Sequence, residues 1–259
     1  MSENLGPIHY MMYDKIKFQD EITAYLLDND TSEVDKIAKA VSKSPLEDLI
    51  DQDNIHGWLD SKIDVVEKRL NYALKHSSNP KDKIFEFGRQ IGQDENFDDI
   101  KQIFSNLNMY LLDGMPCDNG LSAQVDESGD LYLITNTNLH SKYENDDINP
   151  EDSLANVCEG GHDHDHHENF EVSEGNGINL KNESKNEKST YNDFRYEFLK
   201  GYFSDSPYDV EMVNGINFRI FNRVGDRWLI HLPTSHTTVR TVPYTAVLQF
   251  NMNFIVIAD

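Results

Sequence analysis

Four of the chain's ten histidines fall in one short stretch, Cys158-Glu159-Gly160-Gly161-His162-Asp163-His164-Asp165-His166-His167-Glu168. Imidazole is a borderline ligand that suits zinc, nickel, copper and iron, and the interleaved carboxylates add oxygen ligands and concentrate cations. In an extended chain His162, His164 and His166 project to one side. In a helical turn His162 shares a face with His166, and His164 with His167. Either geometry offers two or three nitrogens to one ion. The expected ligands are therefore His162, His164, His166 and His167, with Cys158 and Glu168 as helpers, and the expected cofactor is a divalent transition metal, zinc or nickel first. A ligating nitrogen must lose its proton, so binding weakens as pH falls. A tract without ordered supporting partners exchanges its metal, which fits storage, delivery or sensing better than catalysis. The alternative is a solvated spacer. Calcium fits less well, because the spaced Asp, Asn and Gly pattern of a helix-loop-helix site is missing.

Other reactive side chains are scattered. His9 and His56 each lie in the first turn of an expected helix, where the positive end of the dipole favours a neutral ring. They could share a metal only if their helices were parallel neighbours, and helices joined by short links are usually antiparallel. A local hydrogen-bonding role near the core is the expectation. Cys117 follows Met115-Pro116 at the end of the helical half, a plausible pocket wall for an enzyme or a small-ligand site. The stretch His231 to Thr238 carries hydroxyls and imidazoles but no Gly-x-Ser-x-Gly elbow. No Glu-x-x-His pair of the di-iron bundle type occurs in the helical half, and no Gly-rich phosphate loop follows a strand.

Charge narrows the partners. The 259 residues include 46 acids against 23 bases, a formal net charge of -23. Such a field repels phosphate backbones and anionic lipid surfaces, so metal ions and a protein partner are expected, and nucleic acid and membrane are not. No apolar run reaches the roughly 20 residues of a bilayer span. No secretory signal is visible, and the two cysteines cannot form a disulfide framework, so a cytoplasmic protein is expected.

The elements that must position these groups fall into two sets. Residues 1–115 read as a helical bundle. Gly6-Pro7 opens a first helix with Ile8, Met12, Ile16 and Ile22. Thr31 or Ser32 caps a second with Val34, Ile37, Ala38 and Val41, and Ser44-Pro45-Leu46-Glu47 has capping-box spacing. Asp53 or Asn54 then caps the most regular helix, with Ile55, Leu59, Ile63, Val66, Leu70 and Leu74 at steps of three and four. Helices follow from Asn79-Pro80 and through Phe97 to Leu111. Ile8-His9…Lys15-Ile16 is echoed by Ile55-His56…Lys62-Ile63, which a shared packing rule explains better than duplication does, because two short amphipathic helices match easily by chance.

Residues 116–259 read as an α+β domain. Ser122 to Val125 and Leu131 to Thr135 form a hairpin, and an acidic His-rich insertion occupies about 144–189. The aromatic helix Tyr191 to Phe203 is buried. Strand-like runs follow at Asn217 to Asn222, Arg227 to Leu232, Thr237 to Val242, Tyr244 to Phe250 and Phe254 to Ala258. The fold class is α+β, an N-terminal helical bundle followed by a mostly antiparallel sheet with a packed helix.

The segments LGPIHYMMYDKIKFQDE and NIHGWLDSKIDVVEKRL resemble uncharacterised soluble proteins of anaerobic, low-GC bacteria, mainly over the N-terminal half. The resemblance implies no activity. The expectation is thus a cytoplasmic transition-metal-binding protein using a His-rich loop, with an enzyme or small-ligand pocket near Cys117 as the alternative.

Overall fold

A computed structural model describes residues 5–51, 53–136, 139–144, 172–174, 178 and 189–223. The strand-like runs from Arg227 onward, and the stretch from Cys158 to Glu168, lie outside the described residues.

The first long helix, α1 (Pro7–Leu26), begins where sequence chemistry puts it. Proline occupies the first turn, and His9 Nδ1 accepts the Gly6 backbone N–H at 2.9 Å. Its buried side chains, among them Met12, Ile16, Gln19, Ile22 and Leu26, recur at steps of three and four. A four-residue α2 (Val34–Ile37) is all that forms of the expected second helix, because Ala38 turns extended. The helix is overruled by tertiary bonds: Arg69 takes the Ala38 carbonyl and the Asp35 carboxylate, and Asp20 takes the Val41 N–H. Asn54 caps α3 (Ile55–His76) by accepting the Gly57 N–H at 3.1 Å, and Lys75 and His76 complement the far end.

Helices α1 and α3 run parallel. His9 meets His56 at one end, Gln19 meets Glu67 in the middle, and Ser77 bonds the Leu26 carbonyl at the other. The antiparallel expectation is corrected by the link 27–54, which travels back along the pair before α3 starts. The sequence echo therefore faces itself across the pair.

Next come α4 (Pro80–Gly92) and α5 (Ile100–Asn108), the latter capped by Asp99 on the Lys101 N–H. Strands β1 (Leu121–Val125) and β2 (Leu131–Thr135) form the expected hairpin, with Ala123 opposite Leu133. A short α6 (Ser141–Glu144) precedes β3 (Ser173–Glu174) and the aromatic helix α7 (Thr190–Tyr202). Strands β4 (Tyr208–Val213) and β5 (Asn217–Asn222) turn through Asn214 and Gly215, both at positive φ. The strand order is β3-β1-β2-β5-β4, antiparallel throughout except where β3 pairs parallel with β1. The fold is thus α+β as expected, with α7 packed against the sheet.

Helices α4 and α7 cross closely because glycines stand at the contact. A Cβ on Gly88 would strike the Phe198 carbonyl, one on Gly92 the Tyr202 carbonyl, and one on Gly201 the Phe85 carbonyl. The buried face of the sheet (Leu131, Leu133, Val210, Phe218, Ile220) joins Phe198 and Leu199 of α7, Phe203 at its C-cap and Leu70 of α3 in one apolar core. A second core gathers Met12, Tyr13 and Ile16 of α1, Leu59, Ile63 and Val66 of α3, Leu46, Leu112 and Met115. Among the described residues no helix is long and apolar enough to cross a membrane.

Candidate functional site

Between the two cores lies a layer of buried polar side chains. Along α1 the second core ends at Ile16 and the sheet core begins at Ile22, and along α3 the change falls between Val66 and Leu70. Lys15, Gln19, Glu67, Asn108, His140 and Arg195 fill that level, each less than 9% exposed. Burying so many charged groups is costly unless they pair, and here most of their polar atoms do, Asp113 Oδ2 and Nε and Nη1 of Arg195 being the exceptions. Lys15 Nζ donates to Asn108 Oδ1 at 3.0 Å, and Gln19 Nε2 donates to Glu67 Oε1 at 2.7 Å. The other Glu67 oxygen lies 2.9 Å from His140 Nδ1. Across the ring, His140 Nε2 is 3.5 Å from Asp113 Oδ1. That same oxygen accepts Arg195 Nη2 at 2.6 Å, and Nη2 also reaches the Tyr191 hydroxyl at 2.9 Å.

The position of His140 settles its charge. Both ring nitrogens face carboxylate oxygens, which only accept, so the ring carries both protons and is an imidazolium. Burial alone would strip one of those protons, but Glu67 and Asp113 outweigh it and hold the ring's pKa above its ordinary value. Asp113 shows the converse: burial pushes its carboxyl up, yet Arg195 and then His140 hold it well below the usual carboxylate range. Among the described residues Lys15 has no carboxylate within bonding distance, and burial brings its amine down to about 8. Tyr191 stacks flat on the imidazolium, with ring centroids 3.3 Å apart.

Local elements fix this geometry. His140 sits just before α6, whose Tyr143 hydroxyl bonds Asp64 on α3. Glu144, the last residue of α6, accepts the Ser189 hydroxyl at 2.8 Å and the Tyr191 N–H at 2.7 Å, so it caps α7 together with Ser189. A cavity of about 10 Å³ lies beside His140, Tyr143 and Tyr191. That is room for about one water molecule. The arrangement can therefore hold protons and fixed charges, and this cavity is too small for an organic substrate.

The chain matches no family model, no curated protein and no solved structure.

Of the residues expected from sequence to be functional, His162, His164, His166, His167, Cys158 and Glu168 lie outside the described residues, as does His231 to Thr238. Among the described residues no group of three or more His, Cys, Asp and Glu side chains is arranged to hold a metal. Cys117 lies in the single helical turn Pro116–Asp118, four residues after Asp113 of the polar layer. His9 and His56 do meet, with ring centroids 5.6 Å apart. Because Nδ1 of His9 accepts the Gly6 N–H, a neutral ring keeps its proton on Nε2, which then donates rather than ligates. The pair fits the local hydrogen-bonding role.

Sequence reasoning missed the polar layer. Glu67, Asp113, His140 and Arg195 come from four separate segments with no common spacing. One weak signal existed: Glu67 and Arg69 continue the buried face of α3, where apolar residues would otherwise stand.

Proposed function

We propose that the protein is a cytoplasmic transition-metal-binding protein that stores, delivers or senses a divalent ion, zinc or nickel, through His162, His164, His166 and His167. Cys158 and Glu168 complete the coordination. The observation that supports this reading is the contact between Glu144 and Ser189, which joins the two ends of the segment carrying the histidines. With those ends already held together, the folded body has met the cost of closing the chain between them. The charge of -23 raises the local cation concentration further.

Metal analysis tests the reading. Untagged protein is stripped with chelator, equilibrated with zinc or nickel and desalted. Stoichiometric retention is expected, and loss of it when the four histidines become alanine with the fold unchanged. Equal retention by wild type and variant would move the site into the folded body.

The alternative, a small-ligand or enzymatic pocket near Cys117, draws on the polar layer that includes Asp113, four residues earlier in the chain, because clustered groups with shifted proton affinities mark functional sites. The roughly 10 Å³ cavity beside His140 and Tyr191 weighs against an organic substrate in that layer.

A further inference from the structure

Asp113 and Arg195 are joined at one point only. Arg195 Nη2 donates to Asp113 Oδ1 at 2.6 Å and to the Tyr191 hydroxyl at 2.9 Å. Among the described residues the buried Nε and Nη1 of the same guanidinium, and the buried Oδ2 of the same carboxylate, have no hydrogen-bond partner. Such open groups cost free energy in an interior. A carboxylate and a guanidinium favour a two-bond, side-by-side pair, and these two need only a rotation of the carboxyl to reach it. What stands against that pair is His140, whose Nε2 lies 3.5 Å from the Oδ1 that Arg195 also uses.

The ring is faced from several segments. Glu67 meets it from α3, Asp113 from the stretch after α5, and Tyr191 from α7 by stacking, with Arg195 one hydrogen bond beyond. Tyr143 and Glu144 of α6 line the same small cavity, and Lys15 of α1 feels the charges of Asp113 and Arg195. As an imidazolium the ring donates to Glu67 and to Asp113. A neutral ring has one proton to give. The shorter contact, 2.9 Å to Glu67, keeps it, and Nε2 then turns a lone pair on Asp113 Oδ1, so that two acceptors face each other.

We propose that His140, Asp113 and Arg195 form a proton-operated switch: loss of the Nε2 proton transfers Asp113 from the ring to the guanidinium, as a two-bond ion pair, and loosens α6. The open atoms of the protonated state are the partners of the other state, Oδ2 meeting Nε or Nη1. The change reaches α6 because the His140 carbonyl accepts the Tyr143 N–H at 3.0 Å, and Glu144 at the far end of α6 accepts the Tyr191 N–H. Burial opposes the charged ring, but the two carboxylates outweigh it, so the switch acts above the ordinary imidazole value of 6.5. None of these groups lies in residues 145–188, so the switch stands apart from the metal reading.

Nitrogen-15 and proton spectra of the full chain, followed from about pH 6 to about pH 10, test it. At the acid end both ring nitrogens of His140 are expected to carry protons. Through the ring's midpoint Nε2 loses its proton while Nδ1 keeps one, and the Arg195 guanidinium N–H signals move with that same midpoint. Above it the Tyr143 and Tyr191 amides are expected to exchange faster relative to their intrinsic rates. Arg195→Lys keeps the charge but offers no planar fork for a two-bond pair, so the neutral state loses its support and His140 is expected to hold its proton to a higher pH than in wild type. Asp113→Asn removes the shared carboxylate, so the midpoint is expected to fall and the guanidinium signals to stay still. A ring already neutral at the acid end, a ring that keeps both protons until the fold is lost, guanidinium signals that ignore the ring's titration, or an Arg195→Lys midpoint at or below that of wild type would each overturn the proposal.

Discussion

Glu144 and Ser189 are 45 positions apart in the chain and 2.8 Å apart in space, joined by a hydrogen bond from the serine hydroxyl to the carboxylate. The same carboxylate oxygen accepts the Tyr191 N–H, so one side chain both caps α7 and pins the base of the intervening segment. Removing it leaves two donors without their acceptor. Glu144→Ala is expected to lower unfolding free energy by about 1–3 kcal/mol in urea denaturation. Replacing residues 145–188 by a short Gly-Ser linker removes β3 together with the intervening segment and is expected to leave the far-ultraviolet circular dichroism of the remaining helices and strands intact, because the ends it must bridge already touch.

The crossing of α4 and α7 makes a second prediction. At Gly88, Gly92 and Gly201 the neighbour is a backbone carbonyl, which cannot rotate away as a side chain can. Each Gly→Ala change forces the helices apart and is expected to destabilise by about 1–3 kcal/mol, although alanine is the better helix former. The sign of the change in urea midpoint decides: a stabilised variant would contradict the close crossing.

Arg69 ties the link 27–54 to α3. It is 1% exposed and donates to Asp20 at 2.6 Å and to Asp35 at 2.6 Å. Removing the cation leaves two carboxylates facing each other beside the core. Arg69→Met is expected to cost about 3–5 kcal/mol, read by urea unfolding, and more than Asp35→Asn, because Asp35 is partly exposed and solvent screens its share.

The polar layer sets a pH profile. The folded pKa of His140 lies above its ordinary 6.5, so the stability from its pairing with Glu67 and Asp113 is full below that value and is lost as pH rises through the folded pKa. Asp113 is depressed from 3.8, so its contribution is present above that value and lost as pH falls through the acid range. Lys15 runs the other way on the alkaline side: with its amine lowered to about 8, stability rises as pH passes from there toward the ordinary lysine value of 10.5. In a Lys15→Met background, urea unfolding from about pH 6 to about pH 9 should show stability falling with pH, and His140→Phe should flatten that fall.

Legibility followed the range of the forces involved. Helix α3 was readable because its cap and its apolar stripe are local, and the β1–β2 hairpin because its Asp126-Glu127-Ser128-Gly129 turn is. The second helix failed after Ile37 since Arg69 and Asp20, distant in sequence, compete for the backbone of Ala38 and Val41. Strand β4 was overlooked although Tyr208, Val210 and Met212 alternate with Asp209 and Glu211, the pattern of a half-buried strand. The meeting of Glu67, Asp113, His140 and Arg195 left no trace in spacing, because four segments must fold before the four side chains converge. The His162 to His167 cluster was legible for the opposite reason: its ligands are neighbours in the chain.

Calorimetric titration of the untagged, full-length chain with zinc, in two buffers of different ionisation heat at about pH 7.5, tests the central claim most directly. The account predicts one saturable step that releases protons, weakens toward about pH 5.5 as imidazoles protonate, and disappears when His162, His164, His166 and His167 are alanine. The same binding isotherm in wild type and that variant, or no saturable step at all, would contradict it.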